Sequence, residues 1–361
     1  MKICLIGNGI TNLLLAKCLL KRNFSVHLYD KYKKPILSHT RTIAISDENK
    51  KFINKYILIN DKLFWPVNSI KIYNENNSKI EVLNFSKKNK NSFFMVKNLD
   101  FYKKLYQSVI KNKKFKKKTI NEKFFLKIIK NKEYDLIINS QVNNEISKKY
   151  FNKRIEQDTK SFALTSIIKH KKVNNQISRQ IFTKNGPLAF LPLSKFETSI
   201  VYSINNKNIN FSDKEIIQQI EKYNKFYNIY RFQKFEKFKI TFSQPRNFYF
   251  KNVLLFGDGL HKIHPLTGQA FNMTIRDIKN LLGIIDEKIK LGLSIDNSVL
   301  YEFENNFKSK NFLFAKGIEV LNSFFKIDNK FNNNISNKLF PLINTNQKIK
   351  NIFTTLANEG F

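Results

Sequence analysis

The chain opens on an apolar run, Lys2 to Ile6, then Gly7-Asn8-Gly9, then apolar positions at helical spacing from Leu13 to Leu20. A second apolar run, Phe24 to Tyr29, ends at Asp30. Strand, tight turn, helix and strand predict a βαβ opening. Val67 to Tyr73 and Lys79 to Asn84 alternate as a two-stranded hairpin would, and Leu99 to Lys111 has the spacing of an amphipathic helix. Tyr134 to Ile138 predicts a short buried strand. Strand-like stretches then dominate: Ser161 to Lys169, Ile177 to Phe182, Ser199 to Ser203 and Phe235 to Phe242, with a polar-capped helix over Asp213 to Phe226. Val253 to Phe256 predicts another buried strand, closed by Gly257-Asp258, and a helical pattern begins at Asn272. The last long pattern, Leu300 to Phe325, places Phe303, Phe307, Phe314, Ile318, Leu321 and Phe325 at helical spacing. Such a stripe is more often core than membrane anchor. The element order is that of an α/β protein.

Composition narrows the class. The 361 residues are 42% hydrophobic with 35 Phe, enough for a large core or two joined domains. No apolar run approaches the roughly 18 residues that would span a bilayer. Met1-Lys2 leads straight into a strand, so no secretory leader is expected. Cys4 and Cys18 both fall in apolar patterns, which suits buried thiols in a reducing cytoplasm better than a disulfide or metal ligands. The net charge of +36 favours anionic surfaces. Its lysines, however, accompany abundant Asn, Ile and Phe, the residue set of A/T-rich codons. Runs such as Lys113 to Lys118 look like solvated faces. No zinc spacing, helix-turn-helix or RNA-binding aromatic motif is present, so nucleic acid is not an expected partner, and no metal is expected.

Two places carry candidate chemistry. In the first, Gly7 allows a tight turn, Gly9 lets backbone approach a pyrophosphate at a helix N-terminus, and Asp30 can accept hydrogen bonds from a ribose. Asn12 stands where the dinucleotide fingerprint has its third glycine, which predicts a tilted helix or weaker binding. In the second, a strand ends at Gly257-Asp258, and His264-Pro265, Gly268-Gln269 and Asn272 follow. A carboxylate at a strand end before a Gly/Pro turn and a helix start makes a pocket for a polar, phosphate-bearing ligand.

The stretch VLLFGDGLHKIHPLTGQAFN closely resembles the second flavin motif of the FAD-dependent aromatic hydroxylases. Arg41-Thr42-Ile43-Ala44-Ile45-Ser46 resembles the segment that follows the second strand in that family, although His39 stands where the family commonly has Asp. Gly186-Pro187-Leu188-Ala189-Phe190-Leu191-Pro192-Leu193 resembles a segment of its ubiquinone-biosynthesis branch, the 2-polyprenylphenol hydroxylases. The end of the chain, from Ile349 to Phe361, is similar to the family's terminal pattern. The main departure is Asn143-Asn144 where the family carries Asp-Gly, ahead of Ser147. That departure bears on the reducing step.

The resemblance implies a p-hydroxybenzoate hydroxylase-like fold, a Rossmann-type FAD-binding domain interrupted by a β-sheet substrate domain. Residues 1–66, 95–150 and 245–361 would form the FAD-binding domain, and 67–94 with 151–244 the substrate domain. It implies a flavin-dependent monooxygenase that hydroxylates a polyprenylated phenol in ubiquinone biosynthesis, using NAD(P)H and O2. Gly7, Gly9, Asp30, Arg41, Asp258, Pro265, Gly268, Gln269 and Asn272 would bind FAD. His264, Pro265 and Gly268 would form the reaction face, with His264 and His261 the nearby histidines; a turn histidine bonding backbone is the plainer reading of both. Pro187, Leu188, Phe190 and Pro192 would form an apolar wall for the substrate. An anionic membrane surface and a quinone-biosynthesis complex are the implied partners, and the implied place is cytoplasmic, peripheral to the inner membrane. A reductase or a non-catalytic assembly protein on the same fold is the alternative.

Overall fold

The structure is a computed structural model. It describes residues 1–330 except 34, 36–37, 60–61, 76–80, 87–90, 206–210 and 264–268, without the side chains of 74, 81–86 and 318–330. A six-stranded sheet runs in the order Tyr249–Phe250, Val253–Leu255, Leu136–Asn139, Lys2–Ile6, Ser25–Asp30, Phe115–Thr119. Its pairs are parallel except for the hairpin that joins the first two. The inner strands are near-continuous apolar runs because both faces are covered. The N-terminal helix Ile10–Lys21 packs against the helix Asn98–Ile110 on this sheet. The edge strand Phe115–Thr119 coincides with the lysine run read above as a solvated face. It is solvated, but Lys116 and Lys118 point out from a sheet edge, where lysine blocks edge-to-edge pairing.

The larger sheet runs Ile229–Phe232, Arg154–His170, Glu197–Ile204, Gly186–Pro192, Ile177–Thr183, Ser69–Asn74, Glu81–Ser86. Glu236–Pro245 adds along the long strand Arg154–His170. One face of this sheet is closed by the helix Asp213–Tyr223, whose Ser212 and Glu215 form a capping box. Ile216, Ile220 and Tyr223 of that helix meet Phe162, Leu164, Leu188, Phe190, Ile200 and Tyr202. A small third sheet, Thr42–Ser46 with Phe93–Lys97 and Trp65–Val67, lies between the two. Along the helix Asn297–Lys330, Phe303 and Phe314 are buried in core, as an aromatic stripe at that spacing predicts. Among the described residues no helix is long and apolar enough to cross a membrane. Cys4 and Cys18 are buried free thiols, and burial pushes the Cys18 thiol up to about 12.

His170 is fully buried in the large sheet. Its Nδ1 lies 2.8 Å from the Lys171 carbonyl and its Nε2 2.9 Å from Thr198 Oγ1. That pattern suits a neutral ring, with Nδ1–H donating and Nε2 accepting. Burial lowers its pKa against the opposing pull of the Lys171 carbonyl. A histidine whose folded pKa is depressed stabilises the fold above its unfolded pKa. That contribution is lost as pH falls below about 6.5, with a slope of up to about 1.4 kcal/mol per pH unit. His27, also lowered by burial, adds to the same window. Urea unfolding at a series of pH values is expected to show this loss. His170→Gln is expected to be less stable at pH 7 and to show a shallower slope below pH 6.5.

Candidate functional site: a nucleotide cradle built from both ends of the chain

The first strand ends at Gly7, which turns with φ +109°, and its N–H donates to the Tyr29 carbonyl at 2.8 Å. A Cβ here would lie 2.7 Å from Ser140 Oγ and 3.0 Å from Gln141 Cγ, so only glycine fits. Gly9 is the N-cap of the helix Ile10–Lys21, in extended backbone, and no side chain caps the helix there. A Cβ on Gly9 would meet nothing within 4 Å. The helix therefore offers free N–H groups, the positive end of its dipole and open space above them. Its first turn contains no acidic side chain. These are the requirements of a pyrophosphate site.

Asn12 is the departure from the glycine fingerprint, and the structure assigns it a purpose. Its amide is fully buried, and Nδ2 donates to the carbonyls of Ile6 at 2.9 Å and Gly7 at 2.8 Å. Rather than tilting the helix away, Asn12 ties the helix to the strand end and holds the turn. Asp30 is buried at the end of the second strand. Its Oδ2 accepts from the Asn8 N–H at 2.6 Å and from Gln141 Nε2 at 3.2 Å, and its Oδ1 accepts from the Tyr32 N–H at 2.9 Å. Asp30 thus fixes the glycine loop, and its two oxygens keep capacity for a further donor. Tyr102 donates to Asn8 Oδ1 at 3.0 Å, while Asn8 Nδ2 is buried without a partner among the described residues.

The late motif arrives at the same place. After the strand Val253–Leu255 the chain makes a 3-10 turn, Gly257–Gly259, with Gly257 at φ +55°. A Cβ on Gly257 would lie 2.8 Å from Thr11 Cγ2, in the first turn of the N-terminal helix. Residues 11 and 257 are thus in contact, and Asp258 beside them is exposed toward solvent. Arg41 is exposed as well, and its N–H donates to Ser38 Oγ at 2.8 Å. Gln269 is half-buried at the N-cap of the helix Ala270–Lys290. Asn272 is committed to the protein itself. Its Oδ1 accepts from the Ser46 N–H at 3.1 Å and from Asn49 Nδ2 at 2.9 Å, and its Nδ2 donates to the Ala44 carbonyl at 3.0 Å. It fastens the helix Ala270–Lys290 to the strand Thr42–Ser46. His264, Pro265 and Gly268 lie outside the described residues, as does the terminal pattern at 349–361.

Three sets of contacts were not foreseen by sequence reasoning, although some of their residues were named in it. The first is the amide cluster that replaces Asp-Gly. Asn139 and Asn144 donate to one another, and Asn144 Oδ1 caps the helix Glu145–Tyr150 through the Ser147 N–H at 2.9 Å. Gln141 connects this cluster to Asp30. The second is the pair His261 and Asp277, both fully buried, with Nε2 and Oδ2 2.6 Å apart. Asn311 Nδ2 donates to the other Asp277 oxygen at 3.0 Å. His261 therefore bonds a carboxylate, not backbone, through its side chain. The third is the contact of Thr40 with Thr165, at 2.8 Å between hydroxyls, and of Thr42 with Ser199, at 3.0 Å. These bonds join the segment around Arg41 to the large sheet. Beside them, Glu236 accepts the His39 N–H at 3.0 Å. Burial raises the Glu236 pKa, but bonds from Ser38, His39 and Thr40 outweigh it and leave the carboxyl below its ordinary range.

The substrate wall needs a correction. Along the strand Gly186–Pro192, Leu188 and Phe190 point into the core beneath the helix Asp213–Tyr223. They face away from Thr40 and Thr42, and Pro192 has the same parity. The opposite face of the strand carries Pro187, Ala189 and Leu191, since successive strand side chains alternate.

The fold and the cradle define a class. The family model described as FAD binding domain matches residues 142–290. The large-scale fold is that of FAD-dependent monooxygenases. The p-nitrophenol 4-monooxygenase PnpA of Pseudomonas putida superposes with a TM-score of 0.75 at 13% identity, over 98% of this chain and 96% of that one. The probable FAD-dependent monooxygenase pqsL of Pseudomonas aeruginosa gives 0.70 at 11%, over 91% and 96%. In sequence, the chain is similar to ubiquinone-biosynthesis enzymes. The mitochondrial ubiquinone biosynthesis monooxygenase of Dictyostelium discoideum is 30% identical over 107 residues, 29% of this chain and 22% of that protein. The 3-demethoxyubiquinol 3-hydroxylase of Escherichia coli is 26% identical over 156 residues, 40% of this chain and 38% of that protein. The matched stretches thus span well under half of these relatives.

Proposed function

We propose that the protein is an FAD-dependent monooxygenase that hydroxylates the aromatic ring of a polyprenylated phenol in ubiquinone biosynthesis, with NAD(P)H and O2. The observation that carries this reading is the contact of Gly257 with Thr11. It brings the Asp258 turn onto the uncapped helix N-terminus at Gly9, so that motifs far apart in the chain make one cradle. FAD, once bound and reduced, supplies the activation of O2. The protein's own residues do the rest. The N–H groups above Gly9 would hold the pyrophosphate, Asp30 a ribose, and Asp258 the chain that links to the ring system. Pro265 and Gly268 would border the reacting face, with His264 nearest as a proton carrier. The Thr40 and Thr42 bonds hold the substrate sheet against the Arg41 segment, which positions a ring and excludes water. The similarity to ubiquinone-biosynthesis enzymes supports the phenolic substrate. The net charge of +36 supports a peripheral seat on an anionic membrane at the cytoplasmic side, where a quinone-biosynthesis complex would assemble.

A second reading, a non-catalytic or reductase-type protein on the same fold, is favoured by the amides of Asn139, Asn144 and Gln141. They satisfy one another where the related enzymes carry Asp-Gly, and they provide no carboxylate. One experiment separates the readings. The purified protein is titrated with FAD, then NADH or NADPH is added anaerobically, then air and 2-geranylphenol. The proposal expects a yellow protein that bleaches, then consumes O2 and yields a product heavier by one oxygen atom. A protein that never takes up FAD, or a reduced flavin that returns to yellow without oxygenated product, contradicts it.

A further inference from the structure

The long strand Arg154–His170 and its neighbour Glu236–Pro245 change register between Asp158 and Ser161. Thr159 and Lys160 have no opposite number there, and the strand bulges. Lys160 absorbs the mismatch at φ +51°, in the left-handed region that strains a residue with a Cβ. Three bonds hold the bulge. Asp158 Oδ1 accepts the Lys160 N–H at 3.0 Å, Thr159 Oγ1 donates to the Ile240 carbonyl at 2.7 Å, and Ser161 Oγ donates to the Thr159 carbonyl at 2.8 Å. A fixed bulge of this kind re-aims side chains, and strain kept at one points to a use.

Beside the bulge lies a cavity of about 220 Å3, lined by Lys160, Ser161, Phe162, Lys237, Phe238 and Lys239. Ser161 and Phe162 are its buried floor, and the other four are exposed. Lys237 and Lys239 leave the same face of their strand, about 7 Å apart. Phe162 shares that face, because it pairs with Lys239. Lysines on an edge strand usually stand out from it and block pairing. Lys237 instead turns in over the floor, with its Nζ 3.9 Å from the centre of the Phe162 ring, which holds the ammonium in place.

Three ammonium groups thus line one small cavity. Asp158 Oδ2 lies 3.2 Å from Lys239 Nζ. Lys160 and Lys237 have no carboxylate within 4.0 Å among the described residues. The three lysines and this aspartate carry a net charge of +2, which the dianion of a phosphate monoester matches. Lysine binds phosphate as a point charge and needs no fork geometry. The exposed ring of Phe238 at the rim gives the organic half of such an ester an apolar seat.

We propose that this cavity binds a phosphate monoester, with the dianion among Lys160, Lys237 and Lys239 and its organic group against Phe238. The site shares no residue with the nucleotide cradle and stands whether or not FAD binds. Two sources carry such a group: a soluble ester and the head of an anionic lipid.

The test is calorimetric titration of the full chain with phenyl phosphate, in excess FAD so that the cradle is not counted. Flotation with phosphatidylcholine vesicles, with and without phosphatidate, runs beside it. Wild type is expected to bind phenyl phosphate, more weakly as salt rises. Lys237→Met keeps an apolar chain on the Phe162 ring and removes the charge. Lys160→Gly removes a charge and relieves the strain at φ +51°. Each variant is expected to weaken binding by about 3- to 10-fold, to melt near the wild-type temperature and to leave FAD uptake unchanged. With that binding established, phosphatidate vesicles that bind wild type but release both variants name a lipid head as the source. Any other vesicle result names a soluble ester. Phenyl phosphate that does not bind wild type, or that binds both variants as tightly, overturns the site and leaves the function reading standing.

Discussion

Gly257→Ala is expected to strip the protein of FAD and to destabilise it by roughly 2–4 kcal/mol. Two effects add. At φ +55° an alanine occupies the left-handed region, which costs about 1 kcal/mol in a residue with a Cβ. The new carbon would also stand 2.8 Å from Thr11 Cγ2 and 3.0 Å from Thr11 Oγ1. Thr11 is buried in the first helical turn, and both of its branch atoms lie within 3.0 Å of the new carbon, so it has little room to give. Either the helix start or the Asp258 turn must move, and these are the two halves of the cradle. FAD affinity, followed by quenching of flavin fluorescence, is expected to fall by at least about 100-fold, as a misplaced binding group does. Wild-type affinity in a folded Gly257→Ala protein would refute the joint cradle.

Asp277→Ala is expected to cost about 3–5 kcal/mol, the penalty for stranding the partners of a buried carboxylate. Asp277 is 1% exposed and holds His261 with one oxygen and Asn311 with the other. It is therefore the junction of the segment after the Asp258 turn, the helix Ala270–Lys290 and the long helix Asn297–Lys330. Donation from His261 Nε2–H leaves Nδ1 as an acceptor, and that atom is already buried without a partner among the described residues. A second unsatisfied nitrogen on the same ring makes the loss large. Asp277→Asn keeps the size and one acceptor and is expected to cost about half as much. The midpoint of urea unfolding reads both. A loss below about 1 kcal/mol for the alanine variant would show that the pair is a bystander.

Much of this architecture was legible in the sequence, wherever one local pattern decides. The strand Lys2–Ile6 has the limits its apolar run predicts, and the helix Asn98–Ile110 is displaced by one residue from its predicted span. The strand Phe115–Thr119 was hidden because lysines on an edge strand look like a solvated loop. The octet from Gly186 gave no facing, since a run apolar on every position has no alternation to read. Only its neighbours across the sheet show that Leu188 and Phe190 turn inward and Ala189 outward. Asn12 looked like a defect in a glycine motif. Its purpose lies in two carbonyl partners that become adjacent only when the strand end curls around it. The pairing of His261 with Asp277, and that of Gly257 with Thr11, join elements the sequence does not juxtapose. The glycine at 257 was the available signal, because a positive φ beside a strand end implies a close neighbour.

The most direct measurement is an FAD titration of wild type and Gly9→Asp, with thermal unfolding of both. Gly9 is in extended backbone that any residue adopts, and a side chain there meets open space. Aspartate is also a good N-cap, better than glycine by a few tenths of a kcal/mol. The variant should therefore melt at or above the wild-type temperature, yet it places a carboxylate where the pyrophosphate would lie. Wild type that binds FAD, with an equally stable Gly9→Asp that binds at least about 100-fold more weakly, is the predicted result. Wild type that takes up no FAD, or a variant that binds it as tightly, would contradict the account.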